Sequence, residues 1–277
     1  MPLYGAVEAG GTKFVCAVAG AFDDIRSQIS LPTETPEKTL AAVTTYFEDF
    51  QKMSGTRLDA LGIACFGPLD LNKDSKTYGF ITTTPKAGWS NTDVTNALGK
   101  HLDIPIGFDT DVNAAAFAEY LWGAGKGLDV VLYLTVGTGI GGGLYVNGKL
   151  LHGLMHPEMG HVLIQQNKKV DTFANCCPFH HGCLEGLASG RAVDLRWKCH
   201  ASGLPDDHPA WELEADYLAQ GLMNYIMTVS PQKIVLGGGL IVSRQQKWHR
   251  LRVLVSREVQ AVSLGVGNCL KSPISAP

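Results

Sequence analysis

The sequence predicts an α/β protein built of two similar lobes, on three observations. A pair of strand-like segments followed by alternating helix and strand patterns occurs twice along the chain. A glycine-rich turn stands near the start of each round. The 277 residues, 45% of them hydrophobic, are enough for two cores.

In the first round, residues 3–9 and 13–19 read as strands joined by a tight turn at Gly10-Gly11, with 25–31 as a third strand. Thr35-Pro36 opens a helix that puts Leu40, Val43, Phe47 and Phe50 on one face. Residues 58–66 and 78–83 are strand-like, and 91–101 is a short helix. A buried strand at 105–110 runs into a helix at 112–121. The second round begins with strands at 130–136 and 144–146. Helices follow at 182–200 and 209–229, and a strand at 233–236 ends in Gly237-Gly238-Gly239. We place the lobes at 1–112 and 113–277, and expect them to face one another with both glycine turns at a shared cleft.

The formal charge of −3 points to neither nucleic acid nor membrane as a partner. Residues 130–148 are uncharged for a membrane-compatible length, but six glycines break the continuous apolar helix a span requires. An odd count of seven cysteines and a start without a secretory pattern predict free thiols in a reducing cytoplasm. From Ile241 onward six Lys/Arg stand against one Glu, so the tail carries +5.

Glu8-Ala-Gly-Gly-Thr-Lys13 lies at a strand–turn–strand junction. Gly10 and Gly11 permit positive φ and close approach of N–H groups to an anion, while Thr12 adds a hydroxyl and Lys13 a charge. The bland alternative is an ordinary hairpin turn. The second turn, Val136-Gly-Thr-Gly-Ile-Gly-Gly-Gly143, contains G-x-G-x-x-G, but a strand follows it where a dinucleotide fold needs a helix. No P-loop pattern is present either. The third run, residues 236–239, would allow close approach of a flat ligand such as adenine.

Phe108-Asp-Thr-Asp-Val-Asn113 joins a buried strand to a helix, so its aspartates could cap that helix. The functional reading is that one carboxylate takes a proton from an attacking hydroxyl, as phosphoryl transfer requires. The motif leaves open whether that is Asp109 or Asp111. Mg²⁺ would bridge the phosphates.

His156-Pro-Glu-Met-Gly-His161 precedes Cys176-Cys-Pro-Phe-His-His-Gly-Cys183. Cys177, His180 and Cys183 with one upstream histidine supply four N/S ligands for structural zinc. Cys176, His181 and His156 are alternatives at three of those places. Zinc hydrolase patterns fail: the histidines are five apart, and P-C-x-x-C is missing.

Together these motifs resemble the ROK family of sugar kinases and related repressors, its fructokinase branch in particular, from about Tyr4 to Leu240. The most discriminating piece is the zinc segment joined to Glu185-Gly-Leu-Ala-Ser-Gly190. The resemblance implies an actin-like (ribonuclease-H-like) two-lobed sugar kinase fold with an interlobe ATP cleft. It implies Asp111 as general base, with Gly10, Gly11, Thr12, Lys13, Thr138 and Gly139 around the phosphates. Gly190 and Arg191 would lie near the nucleotide, and Gly237, Gly238 and Gly239 at the nucleoside. Zinc would be held by His161, Cys177, His180 and Cys183. Glu158 and Glu185 would take sugar hydroxyls, with Pro85 and Trp89 on a nearby loop and Thr110 where many relatives carry a sugar-contacting Asn.

The implied reaction is ATP-dependent phosphorylation of a hexose, D-fructose to fructose 6-phosphate, by a cytoplasmic homodimer using ATP, Mg²⁺ and structural Zn²⁺. Mannose or glucose as acceptor, or a non-catalytic sugar sensor, are the alternatives. ROK repressors carry an N-terminal helix-turn-helix, and the phosphate turn begins here within ten residues of Met1. The tail after residue 240 departs from the family pattern, and we expect it to be truncated or altered in reading frame.

Overall fold

The structure, a computed structural model, describes residues 1–243 and the backbone of Ile274 and Ser275. The expectation for the tail falls, residues 241–243 and that pair aside, outside the described residues. Two compact units are present: Met1–Ala114 with His152–His156, and Ala115–Leu151 with the described residues from Pro157 on.

The first unit is built on a five-stranded sheet of order β3-β2-β1-β4-β7. Its strands are β1 (Tyr4–Ala9), β2 (Lys13–Ala21), β3 (Asp24–Pro32), β4 (Ala60–Cys65) and β7 (Ile106–Thr110). β1, β2 and β3 pair antiparallel, whereas β4 pairs parallel with β1 and β7 parallel with β4. Strict alternation in β1 buries Gly5, Val7 and Ala9 and turns Glu8 outward. Helix α1 (Pro36–Ser54) starts with proline in its first turn and ends at Gly55 in the left-handed region. Its Leu40, Val43 and Phe47 are buried as the spacing predicts, and Phe50 on the same face packs half-buried against that core. Helix α2 (Val94–Leu102) is capped by Asp93, whose carboxylate accepts the Asn96 N–H. It follows a two-residue strand, β6 (Thr92–Asp93), paired with β5 (Phe80–Ile81), so the expected helix at 91–101 and strand at 78–83 are both shorter.

The second unit repeats the arrangement. Its sheet has the order β10-β9-β8-β11-β12, from β8 (Val130–Val136), β9 (Ile140–Val146), β10 (Lys149–Leu150), β11 (Lys233–Gly237) and β12 (Ile274–Ser275). Again three antiparallel strands are followed by two parallel ones. The doubled strand order expected from the sequence is therefore present. Helix α6 (Ala210–Val229) packs Leu218 and Leu222 into a core with Leu132, Leu134 and Leu144. Ser230, left-handed, ends it before Pro231.

Two expectations need correction. Residues 182–200 are not one helix but α4 (Leu184–Ala188) and α5 (Gly190–Trp197), broken at Ser189. Ser189 is extended, and its hydroxyl accepts the Ala192 N–H, so a side-chain cap outcompetes helix continuation. The glycine run at 137–143 is also not all turn: β9 begins at Ile140 and takes Gly141, Gly142 and Gly143 into its ladder.

Candidate active site and metal centre

In the first unit the turn at residues 10–12 joins β1 to β2. The Gly10 N–H donates to the Lys13 carbonyl at 3.0 Å, and the Thr33 hydroxyl donates to the Gly10 carbonyl at 2.7 Å. Gly11, Thr12 and Lys13 are exposed. The reason expected for the glycines is corrected here, because neither Gly10 nor Gly11 takes positive φ. Close approach explains Gly10 instead, since a Cβ there would stand 2.8 Å from the Lys13 carbonyl oxygen.

In the second unit three separate stretches converge. The turn at 137–139 closes with Gly137 N–H donating to the Gly139 carbonyl at 2.9 Å. The start of α5 lies against it: Gly190 N–H donates to the Gly137 carbonyl at 2.7 Å, and Arg191 N–H to the Thr138 carbonyl at 3.3 Å. A Cβ on Gly190 would meet that Gly137 oxygen at 2.7 Å. The third stretch leaves β11 at Gly237. Gly238, at φ +90°, leads into the short helix α7 (Gly239–Val242), and a Cβ on Gly238 would fall 2.4 Å from the Val136 carbonyl oxygen. Thr138, Gly139, Gly190, Arg191 and Gly237–239 thus form one neighbourhood. Glu185 reaches it too, its Oε2 accepting the Ile140 N–H at 3.0 Å.

The two aspartates at the end of β7 differ in how fully they are used. Asp109 Oδ1 accepts from Thr110 N–H and Asn113 Nδ2, each at 2.8 Å, and Oδ2 lies 2.9 Å from His152 Nε2. Asp111, first residue of α3 (Asp111–Leu121), accepts the Val112 N–H at Oδ1 across 2.9 Å and, among the described residues, is engaged by no side-chain donor. Burial pushes its carboxyl up to about 6, the Val112 N–H opposing and the Glu8 charge adding to the rise. A carboxylate that no side chain holds, with a value near neutrality, suits proton acceptance, whereas side chains hold both oxygens of Asp109. Thr110 is buried, and its hydroxyl accepts the Asn113 N–H, so it caps α3.

Trp89 is fully buried in the first core, 5.4 Å from the Phe14 ring and 5.5 Å from Phe66, and Nε1–H donates to the Glu34 carbonyl. It anchors the loop on which Pro85 is exposed. Glu158 is exposed at the head of the 3₁₀ turn Met159–His161. That turn presses on β9, since a Cβ on Gly160 would overlap the Ile140 carbonyl oxygen at 1.9 Å. The Tyr225 hydroxyl donates to the Met159 carbonyl behind it.

His161, Cys177, His180 and Cys183 bring their ligand atoms within 4.8 Å of one another. Three S–N separations are 3.7 Å: Cys177 to His161, Cys177 to His180, and Cys183 to His161. Ligands about 2.0–2.3 Å from one tetrahedral ion stand roughly 3.3–3.8 Å apart, a spacing the three 3.7 Å pairs match and the 4.8 Å limit of the whole set exceeds. The alternatives at three positions lie elsewhere. Cys176 Sγ turns to the Ser189 hydroxyl at 3.8 Å, His156 Nε2 accepts the Leu69 N–H at 3.0 Å, and His181 is not in the cluster. Asn175 buttresses the loop, donating to the His180 carbonyl and accepting the Cys177 N–H.

Sequence comparison agrees with this geometry: the ROK family description matches residues 4–263. The chain belongs to the ROK family. It is 49% identical over 243 residues to a putative fructokinase of Bacillus subtilis, covering 88% of this chain and 79% of that protein. A fructokinase of Lactococcus lactis is 43% identical over 86% of this chain and 79% of its own length. Among solved structures, the ROK hexokinase of Thermus thermophilus superposes with a TM-score of 0.76 at 28% identity, covering 94% of this chain and 89% of that one. The actin-like fold expected from the motifs is thereby shown.

His152 was not singled out from the sequence. It stands four residues before His156 in a stretch where only the metal-like spacing drew attention.

Proposed function

We propose that this chain transfers the γ-phosphoryl group of ATP to D-fructose, giving fructose 6-phosphate and ADP. The observation that carries the reading is Asp111: a partly buried carboxylate at the strand–helix junction, raised towards neutrality and engaged by no side-chain donor among the described residues. It accepts the proton of the sugar's 6-hydroxyl while that oxygen forms its bond to the γ-phosphorus. The bond from phosphorus to the bridging oxygen breaks, and ADP leaves with the electron pair.

Gly10, Gly11, Thr12 and Lys13 offer N–H groups, a hydroxyl and a positive charge to the phosphates, and Thr138 and Gly139 offer N–H groups and a hydroxyl. Gly190, Arg191 and Gly237–239 hold the nucleoside where glycine leaves room for a flat base. Glu158 and Glu185 accept sugar hydroxyls, and the loop of Pro85 and Trp89, with Thr110, borders the sugar. Mg²⁺ would enter with the triphosphate and supply neutralisation of its charge beside Lys13. A closed four-ligand zinc site pins the segment between Glu158 and Glu185, which ties the metal to sugar binding through structure rather than chemistry. The protein acts in the cytoplasm as a homodimer. None of the six cysteines among the described residues is in a disulfide, and no described helix is long and apolar enough to cross a membrane.

A coupled assay of ADP release tests the reading with fructose, mannose, glucose and N-acetylmannosamine, in wild type and Asp111→Asn. Fructose-dependent release that disappears in the variant is expected. Sugar binding without turnover would point to a sensor, and turnover retained in Asp111→Asn would remove Asp111 from the mechanism.

A further inference from the structure

We infer that His152 is a positioning residue for this reaction: through Asp109 it fixes the first turn of α3, on which Asp111 sits. The inference rests on the proposed role of Asp111.

The geometry is a short chain of bonds inside the first unit. His152 Nε2 lies 2.9 Å from Asp109 Oδ2, and the other oxygen of that carboxylate takes Thr110 N–H and Asn113 Nδ2. Thr110 in turn caps α3 by accepting the Asn113 N–H at 3.1 Å. Asp109 therefore ties the end of β7 to the first turn of α3 on both sides of Asp111. The proton on His152 can be assigned. A bare Nε2 would set its lone pair against a carboxylate oxygen, so Nε2 carries the hydrogen and donates it. The longer contact, 3.3 Å to Asn113 Nδ2, is then donor beside donor and adds nothing.

Asn113 supplies the second observation. It is fully buried, and its Oδ1 has no hydrogen-bond partner among the described residues. Turning the amide over would relieve nothing, because the oxygen would then face the Asp109 carboxylate at 2.8 Å. A buried acceptor without a partner has lost its water and gained nothing in return, a cost to the fold. The arrangement tolerates that cost and keeps Asp109 held from both sides, with His152 as the half of the grip that comes from a distant part of the chain.

His152 is 42% exposed at its side chain, so its replacement leaves the core untouched. The test uses His152→Ala and two further variants of one shape. His152→Gln keeps a nitrogen donor near the Nε2 position, whereas His152→Glu sets a second carboxylate against Asp109. Steady-state kinetics and melting curves are measured on the full chain, with Asp111→Asn alongside. We expect His152→Glu and His152→Ala to lower kcat by about ten-fold or more, with KM for ATP and Tm nearly unchanged, and His152→Gln to recover most of the rate. Equal activity of the Gln and Glu variants, or kcat of His152→Ala within two-fold of wild type, would overturn the inference. If Asp111→Asn is itself fully active, the failure lies in the proposed function. If that variant is inactive while the His152 variants are not, only the inference fails.

Discussion

Arg196 donates from Nη1 to Glu214 Oε1 across 3.2 Å in the second core, where neither side chain is more than 6% exposed. Its Nε also donates to Asp171 Oδ1 at 3.1 Å, and Nη2 to the Leu187 carbonyl at 2.7 Å. Burial pushes Glu214 up to about 8, although the Arg196 charge opposes the rise. Near neutrality Glu214 is therefore mostly protonated, and Asp171 alone answers the guanidinium. Arg196→Ala strands Asp171 without its cation and should cost about 3–5 kcal/mol in urea unfolding. Glu214→Gln, a neutral near-isostere, should stay within about 1 kcal/mol of wild type at pH 7. The sign in pH follows: the folded value lies above the ordinary 4.5, so the contribution of Glu214 to stability grows as pH falls from 8 towards 4.5. Glu214→Gln should flatten that slope.

A base must be ionised to act, so kcat/KM should climb with pH through about 6, the value of Asp111. Glu8 contributes to that value by its charge, and Glu8→Gln should move the acid limb of the profile to lower pH. An unmoved limb would show that another group sets it. Asp111→Asn should lower turnover by about 10²–10⁴-fold. Because the raised carboxyl is unfavourable when charged, the same variant should leave the apo-protein as stable as wild type or more so above pH 6.

Metal analysis should find one zinc per chain. Stripping it with a chelator, or Cys177→Ser, removes the joint holding His161 to the 177–183 loop. Tm should then fall by more than about 5 °C. The loss should be largest in hydrogen exchange around Met159–His161.

Gly190→Ala brings a methyl group to 2.7 Å from the Gly137 carbonyl oxygen, a backbone atom that cannot swing aside. It should cost about 1–3 kcal/mol and raise KM for ATP. At Gly11 a Cβ meets nothing within 4 Å, so Gly11→Ala should leave Tm unchanged and act, if at all, on ATP kinetics. Melting curves of the pair separate packing from phosphate contact.

Much of the fold was legible because periodicity reports burial. The strand at 130–136 coincides with β8, whose Leu132, Leu134 and Val136 enter the core, and the face of α1 was read from Leu40, Val43 and Phe47. The Cys/His cluster was legible as a set because three sulfur or nitrogen donors crowd into seven residues, yet which of two neighbours turned inward depended on Asn175 and Ser189, partners that spacing does not reveal. The break at Ser189 escaped notice because Leu184, Leu187 and Val193 continue an apolar pattern across it. Gly10 was singled out for the wrong reason: a nearby carbonyl, not a left-handed backbone, excludes a side chain. His152 had no local signal at all, since its partner Asp109 lies 43 positions away.

The excursion of His152–His156 into the first unit has a practical consequence for dissecting the protein. A fragment cut after Ala114 would carry Asp109 and the Leu69 amide but neither imidazole that meets them. Adding the five residues back as a separate peptide, or grafting them through a short linker, is what such a fragment would need before its fold or ligand binding could stand for that of the intact chain.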